Sequence, residues 1–344
     1  DKRIVEEQYG TAKTALEFLR EQAGDDLYIE DGIGDHVSLS KKELPLTSTA
    51  FYYHFAALVA EFADILGKEE DAQRYWELAS AIDEAFAKRF VDGESGKVGN
   101  AITQANQLFA LWYDLGFAEP ATREKALQLL VNDIRETNDG HLTTGIFGTQ
   151  FLWDVLDRND LNDVAYTIAD QRDFPGFGHM LESGATTLWE NWKEPDQASH
   201  NHPMFGSVSA WFYKSILGIQ PAEGAVGMDR ILIKPSPVGG LTYARGHYTT
   251  VRGRVGVDWR KEGEAFLLEV SIPANCRATI ELPVDERSGA LIRESGKTLF
   301  ANGDVVEGSE LTLVEVEGSK LSCEVGSGVY RFEVSSAMRR ASGF

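Results

Sequence analysis

Between Pro175 and Ser207 the chain reads PGFGHMLESGATTLWENWKEPDQASHNHPMFGS, its densest concentration of residues able to do acid–base chemistry. Glu190 stands between Trp189 and Trp192, and His200, Asn201 and His202 follow. A carboxylate among indoles stays ionised when Asn or His donates to it, and it can then deprotonate a water. Sugar rings present apolar C–H faces and hydroxyl edges, so aromatic walls with carboxylate and imidazole partners suit a glycoside pocket. Glu182 and Glu194 lie in the same stretch without flanking aromatics and read as solvated or structural. On residue types alone Glu190 also admits a structural role, capping a helix or pairing with an arginine.

The elements that must position these residues are helices over the first 220 or so positions. Tyr9, Ala12, Ala15, Leu16 and Leu19 recur at helical spacing, as do Phe51, Phe55, Leu58 and Phe62 in a segment entered through Thr47 and left at Gly67. Further helices are predicted from about Glu69 to Phe90, Gln104 to Leu115 (closed by Gly116), Arg123 to Ile134, after Thr149, after Asn162, and from Val208 to Gly218. Their aromatic stripes are read as core. Three long connections, Asp25 to Lys42, Asp139 to Thr149 and Arg172 to Ser207, are of a length that usually signals function; in a toroid of paired helices they gather at one end.

After Gly224 the period shortens. Segments 230–234, 254–259, 265–270, 278–282 and 329–334 are short and partly alternating, separated by Gly, Pro or Asn, which predicts an antiparallel sandwich. The predicted division is residues 1–223 helical, 224–335 β-sandwich and 336–344 tail.

With 54 acidic and 33 basic residues the formal net charge is −21, which repels phosphate backbones and anionic lipid; nucleic acid and membrane are excluded as partners, and a neutral sugar is compatible. No apolar run approaches the roughly 20 residues a bilayer needs, and Asp1-Lys2-Arg3 opens no apolar leader. A leader further upstream would not be visible, so the compartment stays open. Cys276 and Cys323 both fall in the strand-rich part and read as buried thiols; whether they pair stays open. No His or Cys cluster has metal-ligand spacing, so neither metal nor cofactor is expected.

Gly184-Ala185-Thr186-Thr187-Leu188-Trp189-Glu190-Asn191-Trp192, followed by Asn201-His202-Pro203-Met204-Phe205-Gly206-Ser207, closely resembles the α-L-rhamnosidases of glycoside hydrolase family 78, which carry a GATT-hydrophobic-WE-x-W block and then NH-x-x-x-GS. Gly32-Ile33-Gly34-Asp35 is similar to the family's GxGDW, Thr144-Gly145-Ile146-Phe147-Gly148-Thr149 to its TGFxGT, and Gly227 to Trp259, continuing to Pro283, to its C-terminal sandwich. The resemblance covers nearly the whole chain.

It implies a mainly α protein with a β domain: an (α/α)6 barrel, incomplete because N-terminal helices are absent, followed by an antiparallel β-sandwich. It implies inverting hydrolysis of terminal α-L-rhamnosides with Glu190 as general base, no cofactor, and Asp35, His36, Phe177, Trp189 and His202 as substrate-binding residues. His36 stands where the family usually has Trp, and Phe177 where an aromatic, often Trp, precedes Gly; both still offer a ring face to a sugar. Asp35 equally admits the reading of a helix cap or turn residue, and His202 that of a satisfied core histidine. The family's acidic DxxxRxExxGWxGD block, which carries the general acid, has no counterpart here, and a twelve-helix barrel needs about four more helices. The chain is therefore expected to be a C-terminal piece, its partner being the missing N-terminal part of the same polypeptide. Two readings stay beside this one: an (α/α)6 glycosidase of different sugar specificity, and a non-catalytic sugar-binding fragment.

Overall fold

Leu16, Tyr52, Tyr75 and Ile82, none of them exposed, show why the first helices associate: each lies on the apolar stripe of its own helix, and the stripes meet. The helices are α1 (Lys2–Ala23), α2 (Leu44–Leu66) and α3 (Glu69–Phe90). In this computed structural model the described residues are 2–193, 198–283, 290–301, 304–306, 312–317 and 320–336. Glu194 and residues 337–344 of the predicted tail lie outside them.

Gly67 ends α2 with φ of 70°, its N–H returned to the carbonyls of Ala63 and Asp64, so the chain reverses at once into α3. α3 opens on Glu69, Glu70 and Asp71 and closes on Lys88 and Arg89, the charge order that its dipole favours. α2 begins at Leu44, three residues before the predicted entry, because Pro45 presets the first turn; the Thr47 hydroxyl donates back to the carbonyls of Glu43 and Leu44. α4 (Gln104–Tyr113) is capped by Thr103, which accepts from Asn106 N–H, and α5 (Pro120–Asn132) runs into a π-helical turn at Asp133–Thr137. α6 (Ile146–Arg158), α7 (Asn162–Ala169) and α8 (Phe177–Glu182) follow. α1 packs on α2, α2 on α3 and α4, and α4 on α5 and α6. α8 was not predicted: at 6 residues, entered through Gly176, it shows no repeat of the helical period.

The chain divides into two compact units, Asp1–Ser207 and Val208–Phe344. In the second, α9 (Ser207–Trp211) continues as a π-helical turn, Phe212–Ile216, and leads into the strands. These are β1 (Ile219–Pro221), β2 (Arg230–Ile233), β3 (Tyr243–Thr250), β4 (Gly253–Glu262), β5 (Ala265–Ile272) and β6 (Arg277–Pro283). β7 (Ala290–Glu294), β8 (Lys297–Ala301), β9 (Asp304–Val305), β10 (Thr312–Glu317), β11 (Lys320–Val325) and β12 (Gly328–Ser336) complete the set. One sheet has the order β1-β2-β6-β11-β10, the other β3-β4-β5-β12-β7-β8-β9. Alternate residues of β5 and β6 are buried, so each sheet has a dry face, as a sandwich requires.

One pairing departs from the predicted antiparallel arrangement: β2 and β6 run parallel, Arg230 opposite Arg277. Between them the chain makes the β3-β4-β5 meander in the other sheet and returns in its original direction. Cys276 and Cys323 are both buried and both free. No described helix is long and apolar enough to cross a membrane.

Candidate functional site

The site is built from three loops that the sequence keeps far apart. The first carries Asp35. Its side chain is 2% exposed, and its carboxylate accepts from the N–H groups of Gly145 (2.6 Å), Gly148 (3.0 Å) and Phe147 (3.1 Å). The neighbouring His36 carbonyl accepts from Ile146 N–H at 2.9 Å. These are the unpaired donors at the start of α6, whose N-cap position is Gly145 and which has no cap from its own segment. The loop of residues 35–40 thus caps α6 from more than 100 positions away. Burial pushes the Asp35 carboxyl above the usual carboxylate range, and the three amide donors and Lys42 pull against that shift.

Glycine is required at both ends of this junction. A Cβ on Gly145 would lie 2.0 Å from the His36 carbonyl oxygen, and one on Gly148 2.6 Å from Asp35 Oδ2. Leu39 N–H and the Ser38 hydroxyl donate to the Thr143 carbonyl, and the Ser40 hydroxyl to Thr143 Oγ1, so the two loops are joined along their length.

The third loop donates to the second through Trp192 Nε1–H, bonded to the buried Thr144 carbonyl at 2.8 Å, and His141 Nε2 meets Asp173 Oδ1 at 2.9 Å nearer the surface. Trp192 stacks on Phe205 with ring centres 3.9 Å apart and meets Phe177 edge-on at 5.2 Å, and Phe177 also contacts Trp153. Wedged between rings and tied at its nitrogen, this indole has one orientation.

Glu190 stands two residues before Trp192, half-buried. Its Oε2 accepts from Ser199 N–H at 2.8 Å, while its own N–H donates to the Ser199 carbonyl at 3.0 Å. His202 N–H donates to the Leu188 carbonyl at 2.9 Å, and the Thr187 hydroxyl to the His200 carbonyl, so the arms 187–190 and 199–202 run alongside each other. No lysine or arginine among the described residues pairs with Glu190. The carboxylate is thus oriented by a neutral amide rather than by an ion pair, an arrangement compatible with accepting a proton. His202 Nδ1 accepts from Met204 N–H at 3.3 Å, so the neutral ring keeps its proton on Nε2 and can donate there.

The predicted residues divide into two groups. Glu190 and His202 share one loop and Phe177 reaches it through Trp192, whereas His36, half-buried, is tied by its backbone carbonyl to the start of α6. Asp35 does not fit as a sugar contact: it is enclosed and spends its oxygens on three amides, the cap reading that the sequence had left open. Trp189, 3% exposed, also presents no open face; its ring lies against His179 and His200. Ser199, Gly145 and Gly148 were missed as participants because they act through backbone groups or by lacking a side chain. Glu182 is exposed, and no cluster that could hold a metal occurs among the described residues.

Residues 1–216 match the bacterial α-L-rhamnosidase six-hairpin glycosidase domain, and residues 218–297 the bacterial α-L-rhamnosidase C-terminal domain. An α-L-rhamnosidase of Streptomyces avermitilis is 32% identical over 345 residues, taking in 97% of this chain and 31% of its own. One of Formosa agariphila is 33% identical over 303 residues, 85% of this chain and 31% of its own. Among solved structures, the α-L-rhamnosidase from Dictyoglumus thermophilum superposes with a TM-score of 0.86 at 32% identity, over 98% of this chain and 38% of its own. The Streptomyces avermitilis α-L-rhamnosidase complexed with L-rhamnose gives a TM-score of 0.84 at 32% identity, over 97% of this chain and 31% of its own. The chain spans about a third of the length of the curated relatives it matches.

Proposed function

The chain belongs to the bacterial α-L-rhamnosidase family, and from that premise we propose that it supplies the general-base half of an inverting glycosidase acting on terminal α-L-rhamnosides, with Glu190 as the base. The helices of the first unit are then later members of an (α/α)6 barrel, followed near residue 224 by the sandwich. The matching acid comes from polypeptide outside residues 1–344, in the part of the relatives' length that this chain does not span.

The observation that carries this reading is the state of Glu190: one oxygen held by the Ser199 amide at 2.8 Å, with no cationic partner among the described residues. An inverting mechanism needs a carboxylate that activates water about 6.5–9.5 Å from the acid, on the opposite face of the sugar. A tight ion pair would have lowered its basicity. His202 donates from Nε2 to a sugar hydroxyl, His36 and Phe177 line the approach, and Trp189 and Asp35 support the loops from beneath.

The stereochemical course tests the mechanism. Proton NMR of an aryl α-L-rhamnoside during hydrolysis by the polypeptide carrying both carboxyls should show β-L-rhamnose first; α-L-rhamnose as the first product excludes inversion. Calorimetric titration of this chain with rhamnose, beside glucose and mannose, tests the substrate class. A preference for either other sugar sets the rhamnoside reading aside.

A further inference from the structure

Helix α6 lacks the usual local cap. Gly145 has no side chain to offer, and the donors that Ser, Thr or Asp would normally satisfy from the same segment are met by Asp35 and the His36 carbonyl. A helix that needed only stability would be capped more simply by a side chain at position 145. Capping from a distance does something a local cap does not: it fixes the 143–148 backbone against the 35–40 loop.

That backbone includes the Thr144 carbonyl. Thr144 is fully buried, its hydroxyl bonded to Thr149 Oγ1 at 2.8 Å, and its carbonyl is the acceptor for Trp192 Nε1–H. We propose that Asp35 is a positioning residue for Glu190, holding the Thr144 carbonyl at the place where Trp192 hooks the base-bearing loop. The proposal rests on Glu190 being the base, but the mechanical link from Asp35 through Thr144 to Trp192 is measurable without that reading.

The link is short and stiff at each joint. Three amide bonds of 2.6 to 3.1 Å set the start of α6, and one bond of 2.8 Å sets the indole. The rings of Phe205 and Phe177 leave the indole no alternative stack. Trp192 is two positions from Glu190, so a shift of the carbonyl reaches the backbone that carries the carboxylate through one intervening residue. Misplacing a reacting group by about 1 Å can cost about 100-fold in rate. Asp35→Asn keeps size but turns an NH2 toward amide donors, so at least one of the three bonds is lost and the carbonyl is released.

Hydrogen exchange reads the link directly. In Asp35→Asn, amides of 186–193 and 198–202 should exchange about tenfold faster than in the wild type while those of α2 and α3 keep their rates, the signature of local rather than global opening. Trp192→Phe, which keeps a ring against Phe205 and loses the bond to Thr144 together with part of the indole's volume, should accelerate the same amides at least as much, and the double variant should add nothing to it. Asp83→Asn is the control: that half-buried carboxylate on α3 accepts from Gly116 N–H at 2.5 Å, and none of its partners lies in the 35–40, 143–148 or 186–202 segments. In the catalytically complete polypeptide, kcat per folded molecule on an aryl rhamnoside should fall about tenfold in Asp35→Asn with KM nearly unchanged.

Wild-type exchange of the loop in either Asp35→Asn or Trp192→Phe overturns the proposal, as does equal acceleration of the loop in Asp83→Asn or, in Asp35→Asn, throughout α2 and α3. If Asp35→Asn does not fold, Trp192→Phe decides alone. Full turnover in Glu190→Gln removes the base assignment instead, and leaves the exchange result standing as a statement about the loop.

Discussion

Ser199 and Glu190 are bonded twice: the Ser199 amide donates to Glu190 Oε2 over 2.8 Å, and the Glu190 amide donates to the Ser199 carbonyl over 3.0 Å. Both of Ser199's contributions come from its backbone, while its hydroxyl, which donates to the Asn201 carbonyl at 3.0 Å and accepts from Asn201 N–H at 3.1 Å, holds the turn that presents them.

Glu190→Gln keeps the shape and an oxygen for the Ser199 amide, but cannot accept a proton. Turnover of an aryl rhamnoside should fall about 100- to 10,000-fold with KM little changed, while the exposed Glu182→Gln stays near normal. Steady-state kinetics of both variants provide the check; an equal collapse in Glu182→Gln takes the role away from Glu190.

His202 should contribute to binding rather than to the chemical step. Its Nδ1 accepts from Met204 N–H, which puts the ring proton of the neutral side chain on Nε2, the donor that the proposed function assigns to a sugar hydroxyl. His202→Ala should weaken rhamnose binding about tenfold, the worth of one hydrogen bond of about 1 to 1.5 kcal/mol. Calorimetry on the variant reads this, and unchanged affinity makes His202 a structural residue.

Two glycine replacements should have opposite effects. Gly145→Ala drives a methyl to 2.0 Å from the His36 carbonyl and should cost about 2 kcal/mol or more as the two loops separate. Gly10→Ala, within α1 and with nothing near its Cβ, should gain about 0.5 to 1 kcal/mol from helix propensity. Urea unfolding of both proteins is the measurement; a tolerated Gly145→Ala means that the loops do not approach this closely.

Asp71 gives a pH dependence. Bonds from Lys13 Nζ (2.7 Å) and Tyr9 OH (2.8 Å) hold its carboxyl below the usual carboxylate range, joining α1 to α3. With the folded-state pKa lowered, the stabilisation is present at neutral pH and is lost as pH falls through that lowered value. The stability difference between wild type and Asp71→Asn should therefore be largest near neutrality and shrink below the ordinary carboxylate range. A difference that grows on acidification contradicts the sign.

The sequence was most informative where local pattern decides structure. Tyr75, Ile82 and Phe86 recur at helical spacing, and α3 follows them from Glu69 to Phe90. Partial alternation in residues 265–270 and 278–282 marks β5 and β6. α8 escaped because six residues around glycine are too few for a period to show. The parallel pairing of β2 with β6 escaped because strand direction depends on where the chain travels between them, not on either strand's residues.

The same division holds in the candidate site. Residue types drew attention to Glu190 among indoles with a His-Asn-His run beyond it, and the family resemblance singled out His202 within that run. The resemblance offered Asp35 as a sugar contact and its type equally as a cap, and only the tertiary structure shows what its carboxylate meets, by bringing the start of α6 against it from 110 positions away. The amides of Gly145, Phe147, Gly148 and Ser199 and the carbonyl of Thr144 are groups every residue possesses, so no residue type announces them. Which carboxylate or indole they meet is a property of the folded backbone path.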